Sequence, residues 1–142
     1  MSTVQRSFRI KEPILREIDI IRKEKPANAI ANELLEEALK MRRCPGILFS
    51  DGVTGRRARV AGTGVEVWEV VNEYRIVNED TEALKKALPH LSERQLAAAL
   101  NYGRIYPEEI DAQITANEAI TPETVRNRFS LSSAKQAKRA PR

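Results

Sequence analysis

Three polar side chains near the start of the chain, Gln5, Ser7 and Arg9, have the types and the spacing needed to read nucleic-acid bases. Side chains alternate between the two faces of a β-strand, so these three share one face. The opposite face carries Arg6, Phe8 and Ile10. A two-stranded ribbon fits the major groove of DNA, where Gln, Ser and Arg hydrogen-bond to base edges. A lone exposed strand is unstable, so we expect residues 4–10 to pair with the same segment of a second copy and to bind double-stranded DNA as a homodimer.

Two amphipathic helices follow this segment. The pattern predicts one helix from about Glu12 to Lys25, with Pro13 tolerated in its first turn. It predicts a second helix that begins near Asn28, the expected N-cap, and ends at about Arg43. Large apolar residues recur at helical spacing in both, at Ile14, Leu15, Ile18 and Ile21, and at Ile30, Leu34, Leu35 and Leu39. About 40 residues with so few apolar groups do not build a core alone, which again indicates dimerisation.

Residues 4–43 resemble a ribbon-helix-helix module, a type common in bacterial repressors and antitoxins. The resemblance implies an obligate dimer with intertwined helices and base contacts by the three polar side chains of the strand. It also implies a phosphate contact at the N-terminus of the second helix, near Asn28. The family usually has Gly in the turn between the helices, where this chain has Lys25-Pro26-Ala27-Asn28. The alternative is an ordinary helical hairpin with a disordered lead-in.

The net charge of +4 is unevenly distributed along the chain. Residues 1–43 carry ten Lys/Arg against seven Asp/Glu, residues 44–117 carry eight against eleven, and residues 118–142 carry six against two. Attraction to phosphate requires positive charge, so the middle segment favours a protein partner or a scaffold role over the main DNA contact. No apolar run approaches the ~18 residues that span a membrane. The N-terminus also lacks the apolar core of a signal peptide, so a cytoplasmic protein is expected.

Residue types that carry catalysis or bind metals are scarce. One cysteine, Cys44, and one histidine, His90, argue against a Cys/His zinc site. The Gly62-Thr63-Gly64 segment lacks the further glycines and the Lys of phosphate-binding motifs. Since no nucleophile–base pair is evident either, we expect no enzymatic activity, cofactor or metal site. Cys44 is interpreted as a small linker residue, and Trp68 as a core or half-buried anchor.

The segment after residue 43 begins a second domain. Cys44-Pro45-Gly46 interrupts the helical periodicity, residues 47–66 read as short strands and turns, and four helices follow. The predicted fold is therefore mainly α: an N-terminal dimeric strand-helix-helix, then a small β-hairpin and a helix-turn-helix-like helical domain over residues 44–117. Two roles are open for three arginines on the second strand: they contact phosphates, or they line a solvated edge strand. These are Arg56, Arg57 and Arg59.

Two separated segments resemble the domain of unknown function family 433. Gly62-Thr63-Gly64 with Val67-Trp68 is similar to the family's Gly-Thr-Arg…Val-Trp pattern, and residues 88–102 are similar to its Tyr-Pro-x-Leu-Thr…Ala-Ala-Leu-x-Tyr pattern. The resemblance covers about residues 46–114 and implies a helix-turn-helix-like domain of VapB-type antitoxins, which are often encoded beside PIN-like ribonuclease toxins. Gly64 stands where the family usually has Arg, which would remove any nucleic-acid contact made by that Arg.

Residues 118–142 are predicted to form a basic, partly disordered tail. The antitoxin resemblance implies that this tail folds on the toxin, with the apolar anchors Ile120, Val125, Phe129 and Leu131. Arg126 and Arg128 would then reach an acidic, carboxylate-rich toxin site. A solvated tail that aids solubility or adds non-specific DNA affinity explains the same composition.

These features together predict a homodimeric, antitoxin-like transcriptional repressor that binds operator DNA and neutralises a PIN-like ribonuclease toxin. The alternative is a dimeric protein-interaction module that does not bind DNA. Salt dependence of nucleic-acid binding separates the two hypotheses, because phosphate contacts release counterions.

Overall fold

The computed structural model describes residues 2–52 and 55–119, and the chain divides into two compact units, Met1–Arg43 and Cys44–Arg142. The described residues are mainly helical, as predicted, with one small antiparallel sheet. The elements in chain order are α1 (Glu12–Arg22), α2 (Ala27–Arg43), β1 (Ile47–Gly52), β2 (Gly55–Val60), α3 (Val67–Ile76), α4 (Thr81–Ala87), α5 (Glu93–Ile105) and α6 (Pro107–Glu118).

Helix α1 begins at Glu12 as predicted, with Pro13 in its first turn, where a missing N–H costs nothing. It ends at Arg22, so the predicted extension to Lys25 is wrong. Lys23 has a φ of 50°, which takes the backbone out of the right-handed helical region. The turn is then closed by a hydrogen bond from the Lys25 N–H to the Arg22 carbonyl at 2.8 Å.

Helix α2 begins at Ala27, one residue before the predicted N-cap. The Pro26 carbonyl accepts from the Ala29 and Ile30 N–H groups at 3.0 and 3.2 Å, so Pro26 occupies the capping position. Asn28 therefore lies inside the first turn, and its prediction as the N-cap is wrong. Proline suits this position because its fixed φ is compatible with the entry to a helix.

Residues 2–11 form no strand in the single chain, and all of them are exposed. The predicted strand over residues 4–10 is therefore absent from the isolated protomer. The physical reason is that a strand needs a neighbour for its backbone N–H and C=O groups, and no described part of the same chain supplies one.

Strands β1 and β2 form the predicted hairpin of the second unit. Ile47 lies opposite Val60, and Phe49 lies opposite Ala58. The alternation of strand side chains puts this apolar row against the helices, where Ile47, Ala58 and Val60 are buried. The other row contains Leu48, Ser50, Arg57 and Arg59.

A tight turn joins β2 to α3, as the glycines of this segment predict. The Val60 N–H donates to the Val65 carbonyl at 2.9 Å, and the Thr63 hydroxyl donates to the Val60 carbonyl at 2.9 Å. Gly62 has a φ of 78°, which residues with a Cβ rarely adopt. The turn places Glu66 beside Arg59 and starts α3 directly afterwards.

The core of the second unit lies between the hairpin and helices α3 to α6. Helix α3 packs against the three later helices, and α5 packs against both strands. The buried side chains recur at helical spacing, as on α3 with Val67, Val70 and Val71. The largest buried side chain is Tyr102 on α5, whose ring contacts Phe49 and Tyr106 at centroid distances of 6.3 and 4.9 Å.

Helix α4 has an N-cap that can be tested. The Asp80 carboxylate accepts from the Glu82 and Ala83 N–H groups at 2.9 and 3.2 Å. Asp80→Ala is therefore expected to lower the free energy of unfolding by about 1 kcal/mol, because two N–H groups lose their acceptor. Asp80→Asn keeps an acceptor oxygen and should remain within about 0.5 kcal/mol of the wild type, since Asn caps helices almost as well. Urea unfolding followed by circular dichroism measures both, and equal loss in the two variants would contradict the cap.

Candidate nucleic-acid interface

The predicted base-reading side chains lie together on an exposed N-terminal arm, residues 2–11. Gln5, Ser7 and Arg9 are all exposed, and none forms a hydrogen bond or ion pair within the described residues. The apolar residues of the same arm are also uncovered: Phe8 is 79% exposed. An aromatic side chain left in water is unfavourable by roughly 2 kcal/mol relative to burial, so the arm presents an apolar row with no cover in the single chain.

The two helices of the first unit form an open groove of about 570 Å³ next to this arm. It is lined mainly by apolar side chains: Ile10, Ile14, Ile18, Ile21, Leu34 and Leu35. The structure also places Arg9 on the groove wall, beside Ile10. The groove thus joins the arm and both helices into one continuous apolar surface, the α1–α2 groove.

The first unit has almost no interior of its own. Helix α1 contains no buried residue, and α2 contains one, Ile30. Leu39 of α2 is 67% exposed, and Leu35 is 63% exposed. Large exposed apolar patches on soluble domains mark surfaces that another molecule covers. The sequence predicted the apolar faces of the helices, but their continuity with the arm required the three-dimensional structure.

The remaining predicted site residues do not join this surface. Asn28 is exposed in the first turn of α2, where its carbonyl accepts from the Asn32 side chain at 2.7 Å. It lines no part of the α1–α2 groove. The predicted partner-binding residues lie outside the described residues: Ile120, Val125, Arg126, Arg128, Phe129 and Leu131.

Glu66 contacts Arg59, Trp68 and Glu69 in the second unit, and the sequence alone did not identify it. Its carboxylate accepts from the Trp68 indole N–H, and it lies 3.9 Å from a guanidinium nitrogen of Arg59. Its own N–H donates to the Glu69 carboxylate at 2.8 Å, which starts α3. Arg59 is therefore held against an acidic partner, and the reading of Arg59 as a free phosphate contact loses support. Trp68 is half-buried, as predicted.

Arg56, by contrast, lies on the same face of the hairpin as Ala58 and Val60, at its exposed end. Its guanidinium lies 3.4 Å from the Asp51 carboxylate across the hairpin and donates to the Phe49 carbonyl at 3.3 Å. Arg57 shares the outer row with Arg59. The three arginines therefore do not form one continuous basic stripe.

Cys44 belongs to the core of the second unit and is fully buried, so its interpretation as a linker residue is wrong. The core also contains the Tyr102 hydroxyl, which donates to the Glu109 carboxylate. Burial, reinforced by this hydrogen bond, raises the pKa of the Tyr102 phenol far above its ordinary value. The phenol stays neutral at physiological pH and acts as a structural donor within the core.

Across residues 2–52 and 55–119, no group of three or more His, Cys, Asp or Glu side chains is placed to hold a metal ion. Within the same two ranges, no helix combines the length and apolar character needed to cross a membrane.

The sequence of the second unit matches a known family. Residues 47–103 match the family described as protein of unknown function (DUF433). A DUF433 domain is therefore present in this chain. The DUF433 domain comprises the hairpin, α3, α4 and most of α5, and the predicted family resemblance is confirmed for this part of the chain.

The chain is also similar to a solved structure. A DUF433 member protein from Anabaena variabilis is 27% identical, and the match covers 75% of this chain and 99% of that protein, with a TM-score of 0.42. No curated protein matches the chain.

Proposed function

We propose that this protein is a homodimeric, antitoxin-like repressor that binds operator DNA through its first unit and a PIN-like ribonuclease toxin through the rest of the chain. In this proposal, the first units of two copies form a ribbon-helix-helix module. The DUF433 domain and the basic tail provide the surface for the toxin, and the protein itself catalyses no reaction.

The observation that carries the proposal is the uncovered α1–α2 groove together with the exposed arm. A second copy covers both at once, because a two-fold interface uses the same patch on each protomer. Pairing of the two arms would satisfy the backbone groups on their facing edges and turn Phe8 and Ile10 towards the helices. Gln5, Ser7 and Arg9 would then face outwards on a ribbon of the width that enters the major groove.

The charge distribution also supports DNA binding by the first unit and protein binding by the second. Residues 1–11 contain three cationic side chains, Arg6, Arg9 and Lys11, and no acidic residue. Residues 44–117 carry three more acidic than basic residues, which disfavours a phosphate backbone as their main partner. This acidic balance also favours the second candidate function, a dimeric protein-interaction module that does not bind DNA.

A salt series of fluorescence anisotropy measurements on the duplex upstream of the protein's own gene tests the proposal. We expect sequence-selective binding that weakens steeply with salt. Replacing Gln5, Ser7 and Arg9 together with Ala should weaken operator binding by about 100-fold or more, because each base contact contributes roughly 1–3 kcal/mol. Binding to random DNA should change much less.

Arg16→Ala is the matched control for the loss of one positive charge, because Arg16 is exposed and is already paired with Glu12 at 2.6 Å. It should leave operator binding almost unchanged. Weak binding that is equal on random DNA and is unaffected by the triple substitution would contradict the repressor proposal. The protein-interaction module would then be the better account.

A further inference from the structure

Three charged side chains lie on the wall of the α1–α2 groove: Arg9, Lys11 and Glu17. Within the described residues, none of them forms an ion pair or a side-chain hydrogen bond. The other two acidic residues of α1 are paired within the helix. These pairs are Glu12 with Arg16 at 2.6 Å and Asp19 with Arg22 at 3.3 Å. Within the part of the chain that the structure describes, the charged side chains on the groove wall therefore have no charged partner.

We infer that Glu17 of one copy pairs with Lys11 of a second copy and that this pair selects which chains associate. The inference rests on the proposed dimer, because the groove must be covered by a second copy. Lys11 is preferred over Arg9 because Arg9 belongs to the base-facing row, whereas Lys11 lies beyond the predicted strand at the N-cap of α1. Two-fold symmetry makes the pair occur twice in each dimer.

The surroundings of these charged side chains explain why they would select which chains associate. Ile10, Ile14 and Ile18 line the same groove, so a covering molecule removes water from the neighbourhood of Glu17 and Lys11. In such a partly desolvated place, two like charges disfavour association strongly, while opposite charges fix the register. A chain with a different charge pattern at these two positions would be rejected by the same contacts.

Charge reversal in the full-length protein tests the inference. Glu17→Lys places Lys beside Lys11 of the second copy, and Lys11→Glu places Glu beside Glu17. Each variant alone should dimerise at least about tenfold more weakly than the wild type, because the repulsion occurs twice. A mixture of the two variants should form heterodimers about tenfold more often than random association predicts, because both contacts are then attractive. Native mass spectrometry, with one variant isotopically labelled, measures the proportions.

Glu24→Lys mixed with Lys23→Glu is the matched control. Both positions are exposed, neither lines the groove, and the two chains differ in net charge by the same amount as the test pair. Heterodimer enrichment in the test mixture but not in the control mixture supports the inference. Equal proportions in the two mixtures overturn it while leaving the dimer intact. A wild-type protein that is monomeric would overturn the proposed dimer, and this inference with it.

Discussion

If the protein forms the proposed dimer, Ile18→Asp is expected to convert it into a monomer and to abolish the proposed operator binding. Ile18 lies on α1 in the wall of the α1–α2 groove. Burying such a side chain against a second copy contributes roughly 2 kcal/mol or more to the free energy of dimerisation. Because the interface is two-fold, the substitution removes this contribution at two places. The dissociation constant of the dimer should therefore rise by about a thousandfold, before the cost of burying a carboxylate is counted. Sedimentation velocity over a concentration series measures this directly.

Ile20→Asp is the matched control, since it makes the same chemical change two residues further along α1. Ile20 is 76% exposed and does not line the groove. It should dimerise and bind DNA like the wild type. If both variants remain dimers of equal stability, the α1–α2 groove is not the dimer interface. The stability of the second unit should be unaffected in either variant, because its core contains no residue of α1.

Gly103→Val is expected to destabilise the second unit by about 3 kcal/mol or more, which corresponds to a decrease in melting temperature of roughly 10–20 °C. Gly103 lies within α5, where a glycine normally weakens a helix. Here α3 approaches so closely that a Cβ at position 103 would lie 2.7 Å from a methyl carbon of Val71. The two helices would have to separate, and Val71 is part of the buried core. Differential scanning calorimetry measures the transition.

Gly64→Val provides the comparison for this prediction. Gly64 lies in the turn before α3, its φ is outside the left-handed region, and a Cβ there would meet no atom within 4 Å. The melting temperature should change by only a few degrees, since surface substitutions without a specific contact usually stay within about 0.5 kcal/mol. If the Gly103 variant is as stable as the Gly64 variant, the close packing of α3 on α5 is not a constraint on this fold.

The candidate site was predictable from the sequence in part. The alternation of polar and apolar residues over residues 4–10 identified the arm, and all of its polar side chains are exposed in the structure. The position of Asn28 was not predictable, because Pro26 supplies the capping carbonyl and moves the start of α2 by one residue. The groove wall combines side chains from the arm, α1 and α2, and no local pattern specifies which residues of separate elements meet.

The sequence by itself determined the features that depend on neighbouring residues. Pro13 marks the start of α1, and Gly62 marks the turn before α3. Ser92 and Gln95 mark the start of α5, where the side chain of each accepts a hydrogen bond from the backbone N–H of the other. Such caps and turns are satisfied within a few residues. Only the tertiary structure decided the burial of Cys44, the contacts of Glu66 with Arg59 and Trp68, and the requirement for Gly103 opposite Val71. These depend on which distant segments pack together, and close packing makes that outcome a property of the whole core.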